Sequence, residues 1–549
     1  MKFSVSALFI LLTTVTLCAQ TVTLTAMPKR LQLFSRDASD SATVLVSGTV
    51  QTTSIDSASL TLYKNGTLMR RQATRLVYGV SGAPFTFTSR LHAELSYYKF
   101  ELRVGTTLLP VADSVAAGDA YIMEGQSNSV ADPLWTFISP WLRSFGTRGD
   151  TTDTNWNTAQ IWLGHGVGAI SVTLARNIVI KDSVPVCILS GGQSSTGIES
   201  HMRDLNPLTI YGNLHQRAMR AGLKNTIKAV FWHQGEANTS SVANASTYRN
   251  TFYQLVDSWK GDYPGVQKVY LFQIGCATCG GVSGGNVLRE QQREIPEGHP
   301  DISIMSNTNV PRFDGCHYAD TAGYITMGDW LYGLVARDFY GSSNTVYITP
   351  PNILSAQFAS PAHTTLVLTF DQPVVPTDTS LRHFFSLGTV WDIADSIRAD
   401  TVNHTLSLFL HSPSTATKVG YIPTVYPSTG LFYNGPWLVN PRGIGALTFW
   451  DFPITTGGTG VEDTVETLKA ELLCTPNPFN PSITFRVPSQ SHGTTLAVYD
   501  ARGQRVADLV RSLKNGQAVW NAAGFPSGVY VVKVSTEGGT RVKRITLMK

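Results

Sequence analysis

The sequence predicts a multidomain protein, with a central α/β domain built on a parallel sheet and β-sandwich domains on either side. Between about residues 117 and 341, apolar strand-like runs alternate with helix-like segments, the pattern of a parallel sheet covered on both faces. The flanking regions contain short strand-like runs of alternating apolar and polar residues, typical of sandwiches. At 549 residues, the chain is also too long for one hydrophobic core.

The composition is that of folded, strand-rich and loop-rich material. Hydrophobic residues make up 42% of the chain and charged residues 15%, with 47 glycines and 27 prolines. The formal net charge of +4 is small for this length, and no block of Lys or Arg stands out. The charge balance therefore gives no case for a nucleic-acid partner or an anionic membrane.

The first 19 residues have the features of a signal peptide. Met1-Lys2 supplies a positive start, and an apolar run extends from Val5 to Leu17. Cleavage is expected after Ala19. Cys18 suggests a lipoprotein signal as an alternative, but Leu17 before it is larger than the small residue that such signals carry. No other segment reaches about 18 uninterrupted apolar residues, so no membrane span is expected.

Five further regions follow the signal peptide. We predict an N-terminal β-sandwich at 20–115 and the central α/β domain at 116–343. A second, Ig-like β-sandwich is predicted at 344–455, a Gly/Thr-rich linker at 456–469, and a compact β-domain at 470–549.

Three polar stretches directly follow predicted strands of the central domain: Gly125-Gln-Ser-Asn128, Gly191–Gly197 and His233-Gln-Gly-Glu236. In a parallel sheet, ligands bind outside the carboxyl ends of the strands, so all three should lie on one rim. A serine just after such a strand, here Ser127, has an exposed hydroxyl and a free backbone N–H, as a nucleophile needs. By itself, the first stretch is equally compatible with an ordinary turn.

Asp314-Gly-Cys-His317 offers an acid and a base on a single loop after the last predicted strand. A serine nucleophile needs such a base within hydrogen-bond reach, together with a group that orients the base. The alternative is that Asp314 caps the following helix and that His317 is a surface residue.

These motifs together resemble the SGNH hydrolases, also called GDSL-like esterases. The resemblance is to the branch with sialate O-acetylesterases and plant-type acetyl xylan esterases, and it covers about residues 117–341. It is carried by Gly125–Asn128, by Trp232-His-Gln-Gly-Glu236 and by Asp314–His317. It implies a three-layer, flavodoxin-like α/β domain that acts as a carboxylic ester hydrolase.

The resemblance also implies roles for individual residues. Ser127 would be the nucleophile, His317 the general base and Asp314 the group that orients it. The oxyanion donors would be the backbone N–H of Ser127, a backbone N–H of the second stretch and the side chain of Gln234. The second stretch has Ser194-Ser195 where relatives often have two glycines, so Gly192 and Ser194 are both candidate donors.

Other polar residues of these motifs are expected to support the site. Gln126 and Asn128 flank the serine. For Glu236, a carboxylate that braces the first and third stretches is favoured over a direct catalytic role. His233 is expected to be a pocket wall or a loop anchor, and the pair His165 and His201 could line the pocket.

Five cysteines remain after signal cleavage, and an odd number leaves at least one thiol unpaired. Cys276 and Cys279 have the spacing of half a zinc site, but no second pair follows at a suitable distance. We predict a Cys279–Cys316 disulfide that pins the Asp314–His317 loop. The competitor is a Cys276–Cys279 bridge, which would be strained at so short a spacing.

The last 75 residues resemble the C-terminal sorting domain of type IX secretion cargo. The matching segments are Thr475-Pro-Asn-Pro-Phe-Asn-Pro481, Val498–Gln504 and Pro526–Val531. A generic adhesion module is the alternative. The resemblance implies that the type IX secretion machinery recognises the tail, and that the protein is secreted or displayed at the cell surface.

The sequence thus predicts a secreted serine esterase that removes short acyl groups, chiefly acetyl, from an acetylated poly- or oligosaccharide. No metal or organic cofactor is expected. One alternative is a catalytically silent, carbohydrate-binding surface protein, and another is an esterase for a non-carbohydrate ester.

Overall fold

The structure is a computed structural model that describes residues 22–131, 137–160, 165–275, 278–455, 472–475, 477, 479–487, 495–500, 504–514, 516–536 and 539–549. The chain is multidomain and divides into two compact units, Met1–Gly458 and Thr459–Lys549. The predicted signal peptide, the predicted linker and Cys276 lie outside the described residues.

The central region contains seven of the described strands and five of the described α-helices. The strands are β9 (Ala112–Gly125), β10 (Leu142–Phe145), β11 (Trp156–Thr158), β12 (Val186–Ser190), β13 (Ile227–His233), β14 (Lys268–Gln273) and β15 (Ile302–Ser306). The helices are α1 (Ala169–Asp182), α2 (Ile210–Arg220), α3 (Val242–Asp262), α4 (Gly285–Glu294) and α5 (Asp320–Phe339). These helices overlap the helix-like segments of the sequence, which lie at 165–178, 211–223, 246–260, 287–294 and 321–339.

These strands form one mixed sheet in the order β11-β10-β12-β9-β13-β14-β15. All neighbouring pairs are parallel except β10 with β11. The central strands are buried on both faces, which explains why their sequences are almost continuously apolar.

Two hydrophobic clusters cover the two faces of this sheet. Ile122 of β9 belongs to a cluster with Leu214 of α2, Trp259 of α3 and Leu288 of α4. The neighbouring residue Met123 belongs to a second cluster, which contains Leu174 of α1 and Leu331 of α5. Successive side chains of β9 therefore pack against different sets of helices, as the period of two in a strand requires.

The preceding β region contains strands β1 to β8: Val22–Ala26, Leu33–Ser35, Ser41–Val50, Ser57–Lys64, Thr67–Arg75, Ala83–His92, Tyr98–Val104 and Thr107–Leu108. Strand β9 continues from this region into the central sheet, because its first half pairs with β7 and β2 and its second half with β12 and β13. The predicted domain border at residue 115 falls inside β9, and the border stays a prediction.

The region after α5 contains strands β16 to β25: Ile353–Phe358, Thr365–Phe370, Val375–Pro376, Phe385–Leu387, Val390–Trp391, Ala394–Asp400, Thr405–Leu410, Lys418–Tyr421, Leu438–Val439 and Phe449–Pro453. Two four-stranded antiparallel sheets contribute to one hydrophobic cluster. Buried hydrogen bonds join this region to the central sheet. The Gln273 side chain, for example, donates to the carbonyl oxygen of Thr448 over 2.9 Å.

The second unit contains strands β26 to β32: Leu473–Thr475, Ser482–Arg486, Thr495–Tyr499, Arg505–Asp508, Gln517–Asn521, Gly528–Thr536 and Gly539–Leu547. They form a three-stranded and a four-stranded sheet with a shared hydrophobic cluster. Among the described residues of the whole chain, no helix has the length and apolar character needed to cross a membrane.

The close approach of β9 to the start of β12 gives a stability prediction. A Cβ atom on Gly118 would lie 1.9 Å from the carbonyl oxygen of Pro185, a backbone atom that cannot move aside. We expect Gly118→Ala to lower the free energy of unfolding by about 1–3 kcal/mol, because extra atoms in a packed core force backbone shifts.

The matched control is Gly261→Ala in α3, where a Cβ atom would meet nothing within 4 Å. Alanine is the better helix former by about 1 kcal/mol, so this variant should be at least as stable as the wild type. Urea unfolding of both variants makes the comparison. Equal stability of Gly118→Ala and the wild type would contradict the packing at Pro185.

Candidate active site

The three polar stretches predicted to share a rim leave adjacent strands of the sheet. Gly125 at the end of β9 pairs with His233 at the end of β13. After β12, the backbone N–H of Gly191 donates to the carbonyl oxygen of Met123 (2.8 Å), and that of Gln193 donates to the carbonyl oxygen of Gly125 (2.9 Å). The carboxyl ends of β12, β9 and β13 thus bring these stretches side by side.

Two glycines allow this close approach. Gly125 has φ +135°, and a Cβ atom on it would lie 2.1 Å from the carbonyl oxygen of His233. A Cβ atom on Gly192 would lie 2.3 Å from Oγ of Ser129. The backbone of the second stretch therefore rests directly on the turn that carries Ser127.

Ser127 begins a short 3₁₀ helix, Ser127–Val130, and is half-buried. Two hydrogen bonds hold this turn in place. The backbone N–H of Gln126 donates to the carbonyl oxygen of His233 over 2.9 Å, and Oγ of Ser129 donates to the carbonyl oxygen of Gln126 over 2.6 Å. Ser127 is thus presented on a turn whose flanking residues are tied down.

Asn128 joins this turn to the loop that carries the candidate acid and base. Its side chain is fully buried, and Nδ2 donates to Oε1 of Glu236 (2.7 Å) and to the carbonyl oxygen of Cys316 (3.1 Å). Its Oδ1 accepts from the hydroxyl of Tyr324 in α5 over 2.8 Å. The residue after Ser127 is therefore bonded to the residue before His317.

Asp314 and His317 contact each other directly. Nδ1 of His317 lies 3.1 Å from Oδ2 of Asp314, while Oδ1 accepts from the backbone N–H groups of Cys316 and His317, both at 2.6 Å. Burial alone would raise the pKa of Asp314. The hydrogen bonds from His317 and Cys316 outweigh it, so the pKa of this carboxyl lies below its ordinary value. Because a carboxylate only accepts, Nδ1 of His317 carries the proton and Nε2 is the ring atom left for another partner.

A disulfide pins this loop. Cys279 and Cys316 are bonded with a Cα–Cα distance of 5.5 Å, which is the predicted pair. The backbone N–H of Thr278 also donates to the carbonyl oxygen of Gly315 over 2.8 Å. The Asp314–His317 loop is thus attached on one side to the 278–279 segment and on the other to Asn128.

Glu236 and His233 lie beneath the site and are fully buried. Burial raises the pKa of Glu236, although its hydrogen bond from Asn128 opposes this. Burial lowers the pKa of His233 to about 3, so its ring is neutral at physiological pH, and Nε2 lies 2.8 Å from the side-chain nitrogen of Asn307. Glu236 makes the bracing contact between the first and third stretches that its structural interpretation requires.

The side chains of Gln126 and Gln234 connect the three stretches. Oε1 of Gln126 accepts from Nε2 of Gln234 (3.3 Å) and from the backbone N–H of Ala237 (3.2 Å). Nε2 of Gln234 also lies within bonding distance of the carbonyl oxygen of Thr196 (3.1 Å) and of Oδ1 of Asn238 (2.7 Å). The amide nitrogen of Gln234 is thus shared among three acceptors inside the protein.

The second stretch is exposed from Gln193 to Ser195, whereas Gly191 and Gly192 are buried. Beside it, Gly191–Gln193, Arg148 and the N-terminus of α2 line a cavity of about 130 Å³. Of the two histidines considered for the pocket, His165 bonds with Asn157 and His201 is fully buried behind the second stretch. His201 does not line this cavity.

The motifs do not reveal Tyr324 as a part of the site, and they assign no role to Thr196, although it lies in the second stretch. Tyr324 bonds Asn128 from α5, at a sequence distance of 196 residues, and no spacing pattern signals such a contact. Within the described residues, no group of three or more His, Cys, Asp or Glu side chains is arranged to hold a metal ion.

Residues 151–336 match the family model described as carbohydrate esterase, sialic acid-specific acetylesterase. This match makes the protein a carboxylic ester hydrolase. The matched range contains Gln234, Asp314 and His317 and begins after Ser127. Residues 475–548 match the secretion system C-terminal sorting domain, so the chain carries the tail of a secreted or cell-surface protein.

A solved structure with a TM-score above 0.5 shows a similar fold. A carbohydrate acetylesterase from Xanthomonas citri is 17% identical, with 78% of this chain and 99% of that chain covered, at a TM-score of 0.55. A protein from Arabidopsis thaliana is also 17% identical, with 40% of this chain and 99% of that chain covered, at a TM-score of 0.34. No curated protein matches the chain.

The cysteine arrangement predicts a definite labelling pattern. Burial raises the pKa of the Cys187 thiol to about 12, and the side chain is inaccessible, so iodoacetamide should label Cys187 only after unfolding. A non-reducing tryptic map should contain one peptide pair linked through Cys279 and Cys316. Alkylation of Cys316 in the native protein, or a bridge confined to the peptide with Cys276 and Cys279, would contradict the structure.

Proposed function

We propose that the protein is a secreted serine esterase that removes acetyl groups from carbohydrate through an acyl-enzyme on Ser127. The observation that carries this proposal is the 3.1 Å hydrogen bond from Asn128 to the carbonyl oxygen of Cys316. It links the residue next to the candidate nucleophile with the residue next to the candidate base. A serine esterase needs this proximity before any other feature of the site matters.

The fold supports the proposal. Five of the parallel strands, β12-β9-β13-β14-β15, are the second, first, third, fourth and fifth of these five along the chain, which is the flavodoxin-like strand order. The short parallel strand β10 extends the sheet beyond β12. With helices packed on both faces, we assign the central domain to the three-layer α/β type of SGNH hydrolases. The candidate nucleophile follows the first of these strands, where the strand order reverses, and such switch points bind ligands in α/β sheets.

In the proposed acylation step, Nε2 of His317 takes the proton of the Ser127 hydroxyl as Oγ bonds to the acetyl carbonyl carbon. The tetrahedral intermediate then expels the sugar alkoxide, which leaves as an alcohol with the proton from His317. Asp314 holds the ring through Nδ1 and stabilises its transient positive charge. In deacylation, His317 activates a water molecule that attacks the acyl-enzyme, and acetate leaves with Ser127 restored.

The oxyanion needs hydrogen-bond donors on the side of the second stretch. We assign this role to the backbone N–H of Ser127 and to a backbone N–H of the second stretch, Gly192 or Ser194. Gln234 is a third donor only if its amide nitrogen exchanges one of its three internal acceptors for the oxyanion. Gln126, Asn128 and Glu236 then support the site by holding the three stretches in fixed positions relative to one another.

In this proposal, the other regions of the chain direct secretion and support the esterase domain. The sorting domain would be recognised by the type IX secretion machinery, with the linker at 456–469 separating it from the catalytic unit. The β regions at 20–115 and 344–455 are proposed as β-sandwich domains that support the esterase domain at 116–343. The substrate class is an acetylated poly- or oligosaccharide.

Removal of the candidate nucleophile tests the proposal directly. We expect Ser127→Ala to lower kcat for p-nitrophenyl acetate by at least about 10³-fold, because the covalent route is lost while the oxyanion donors stay. Ser258→Ala in α3, whose hydroxyl donates to the carbonyl oxygen of Gln254 one turn earlier, is the matched control and should keep wild-type kcat. A catalytically silent binding protein would show no difference between Ser127→Ala and the wild type.

Replacement of the orienting carboxylate tests the second part of the mechanism. Asp314→Asn keeps the shape of the side chain but removes the charge that holds His317 in the required tautomer, so kcat should fall by about 10³–10⁴-fold. Acetate release from an acetylated oligosaccharide should fall in parallel. An Asp314→Asn variant with near wild-type kcat would remove Asp314 from the mechanism.

A further inference from the structure

A second histidine–carboxylate pair lies behind the candidate active site, and the proposed chemistry does not use it. Nδ1 of His201 is 3.1 Å from Oε1 of Glu124, and both side chains are fully buried. Oε2 of Glu124 accepts from Nε1 of Trp259 over 3.1 Å. Glu124 is the residue immediately before Gly125, so the pair is attached to the first stretch.

The other side of the His201 ring reaches the second stretch. Nε2 of His201 lies 2.8 Å from Oγ1 of Thr196, and this hydroxyl in turn lies 2.6 Å from the carbonyl oxygen of Gln193. The carbonyl oxygen of Thr196 accepts from Gln234 of the third stretch over 3.1 Å. One chain of contacts therefore runs from Glu124 through His201 and Thr196 to Gln193, with a branch to Gln234.

The direction of each hydrogen bond in this chain follows from the available hydrogens. A carbonyl oxygen only accepts, so the single hydroxyl hydrogen of Thr196 goes to Gln193. His201 must then donate to Oγ1 from Nε2. On the other side of the ring, one further hydrogen lies between Nδ1 and the Glu124 carboxyl group.

Residues 193–195, which this chain of hydrogen bonds holds, have little other packing. Gln193, Ser194 and Ser195 are exposed, and Ser195 has φ +61°. One fixed point is the bond from the backbone N–H of Gln193 to the carbonyl oxygen of Gly125. The bond from Thr196 to the carbonyl oxygen of Gln193 closes the exposed turn, and His201 keeps that hydroxyl pointing inward.

We infer that Thr196 and His201, backed by Glu124, are positioning residues that fix the second stretch so that its backbone N–H can stabilise the oxyanion. The inference rests on the proposed esterase function. Thr196, His201 and Glu124 act through the loop and do not contact the substrate. Its effect should fall on kcat, because an oxyanion donor acts on charge that develops only in the transition state.

The test compares Thr196→Val with Thr196→Ser in the full-length protein. Valine keeps the shape of threonine but cannot donate to Gln193 or accept from His201, whereas serine keeps both bonds. With p-nitrophenyl acetate, Thr196→Val should lower kcat by about 10-fold or more with KM changed less than about 3-fold. Thr196→Ser should keep at least about a third of wild-type kcat. Equal kcat in the valine variant and the wild type, or an equal loss in both variants, would overturn the inference.

Thr226→Val is the matched control for loss of a threonine hydroxyl. Thr226 also donates to the carbonyl oxygen three residues earlier, that of Leu223, over 3.1 Å, but it precedes β13 at the opposite end of the sheet. This variant should keep wild-type kcat. A loss as large as that of Thr196→Val would assign the effect to general destabilisation and overturn the inference.

A second measurement separates the inference from the proposed function. Amide hydrogen exchange at residues 193–197 should be about 10-fold faster in Thr196→Val than in the wild type, and unchanged in Thr196→Ser. If the wild-type protein turns over no ester, or if Ser127→Ala is as active as the wild type, the proposed function fails. Faster exchange would then still support the hydrogen-bond chain, whereas unchanged exchange in Thr196→Val would overturn it.

Discussion

The hydrogen bonds of the Asn128 side chain are the interactions on which the candidate site depends. A buried amide is costly unless its donors and acceptor find partners, and Asn128 has two acceptors and one donor around it. These partners come from the third stretch, the Asp314–His317 loop and α5. One satisfied side chain therefore holds together segments that lie far apart along the chain, and the position of Ser127 relative to His317 follows from it.

The close backbone contact at Gly125 also fixes the position of the turn that carries Ser127. Because the carbonyl oxygen of His233 occupies the place of a Cβ atom, β9 and β13 end in register and the turn with Ser127 begins at the level of His233. The disulfide between Cys279 and Cys316 then limits how far the Asp314–His317 loop can move away from Asn128. The candidate nucleophile and base are thus each held by a local constraint, and Asn128 connects the two.

The sequence predicted the features that depend on local pattern. The alternation of apolar strands and helices indicated the parallel sheet. Because ligands bind outside the carboxyl ends of such strands, the three stretches that follow them were expected on one rim. The Cys279–Cys316 pair was also predicted, because Cys316 lies in the Asp314–His317 loop and the Cys276–Cys279 loop follows a neighbouring strand, although a Cys276–Cys279 bridge was the competing prediction. These inferences need only the order of elements and the geometry of a parallel sheet.

The sequence did not predict which side chains would connect the stretches. His201 was considered as a pocket residue, yet it is buried with Glu124, and nothing in the spacing of positions 124, 196 and 201 indicates a shared hydrogen-bond chain. Gln234 was expected to point a donor at the oxyanion, whereas the structure gives its nitrogen three acceptors within the protein. Such contacts depend on side-chain directions after folding, which residue type and order do not determine.

The His317–Asp314 and His201–Glu124 pairs differ in their surroundings. The side chains of His317 and Asp314 are each 43% exposed, whereas those of His201 and Glu124 are 0% exposed. A general base must exchange protons with the nucleophile and with water, which requires a ring open to the cleft. The buried pair has no such access, and both of its ring nitrogens already face protein partners. A histidine beside a carboxylate is thus a candidate base where its ring is open to solvent, as at His317, and is suited to hold a loop where it is buried, as at His201.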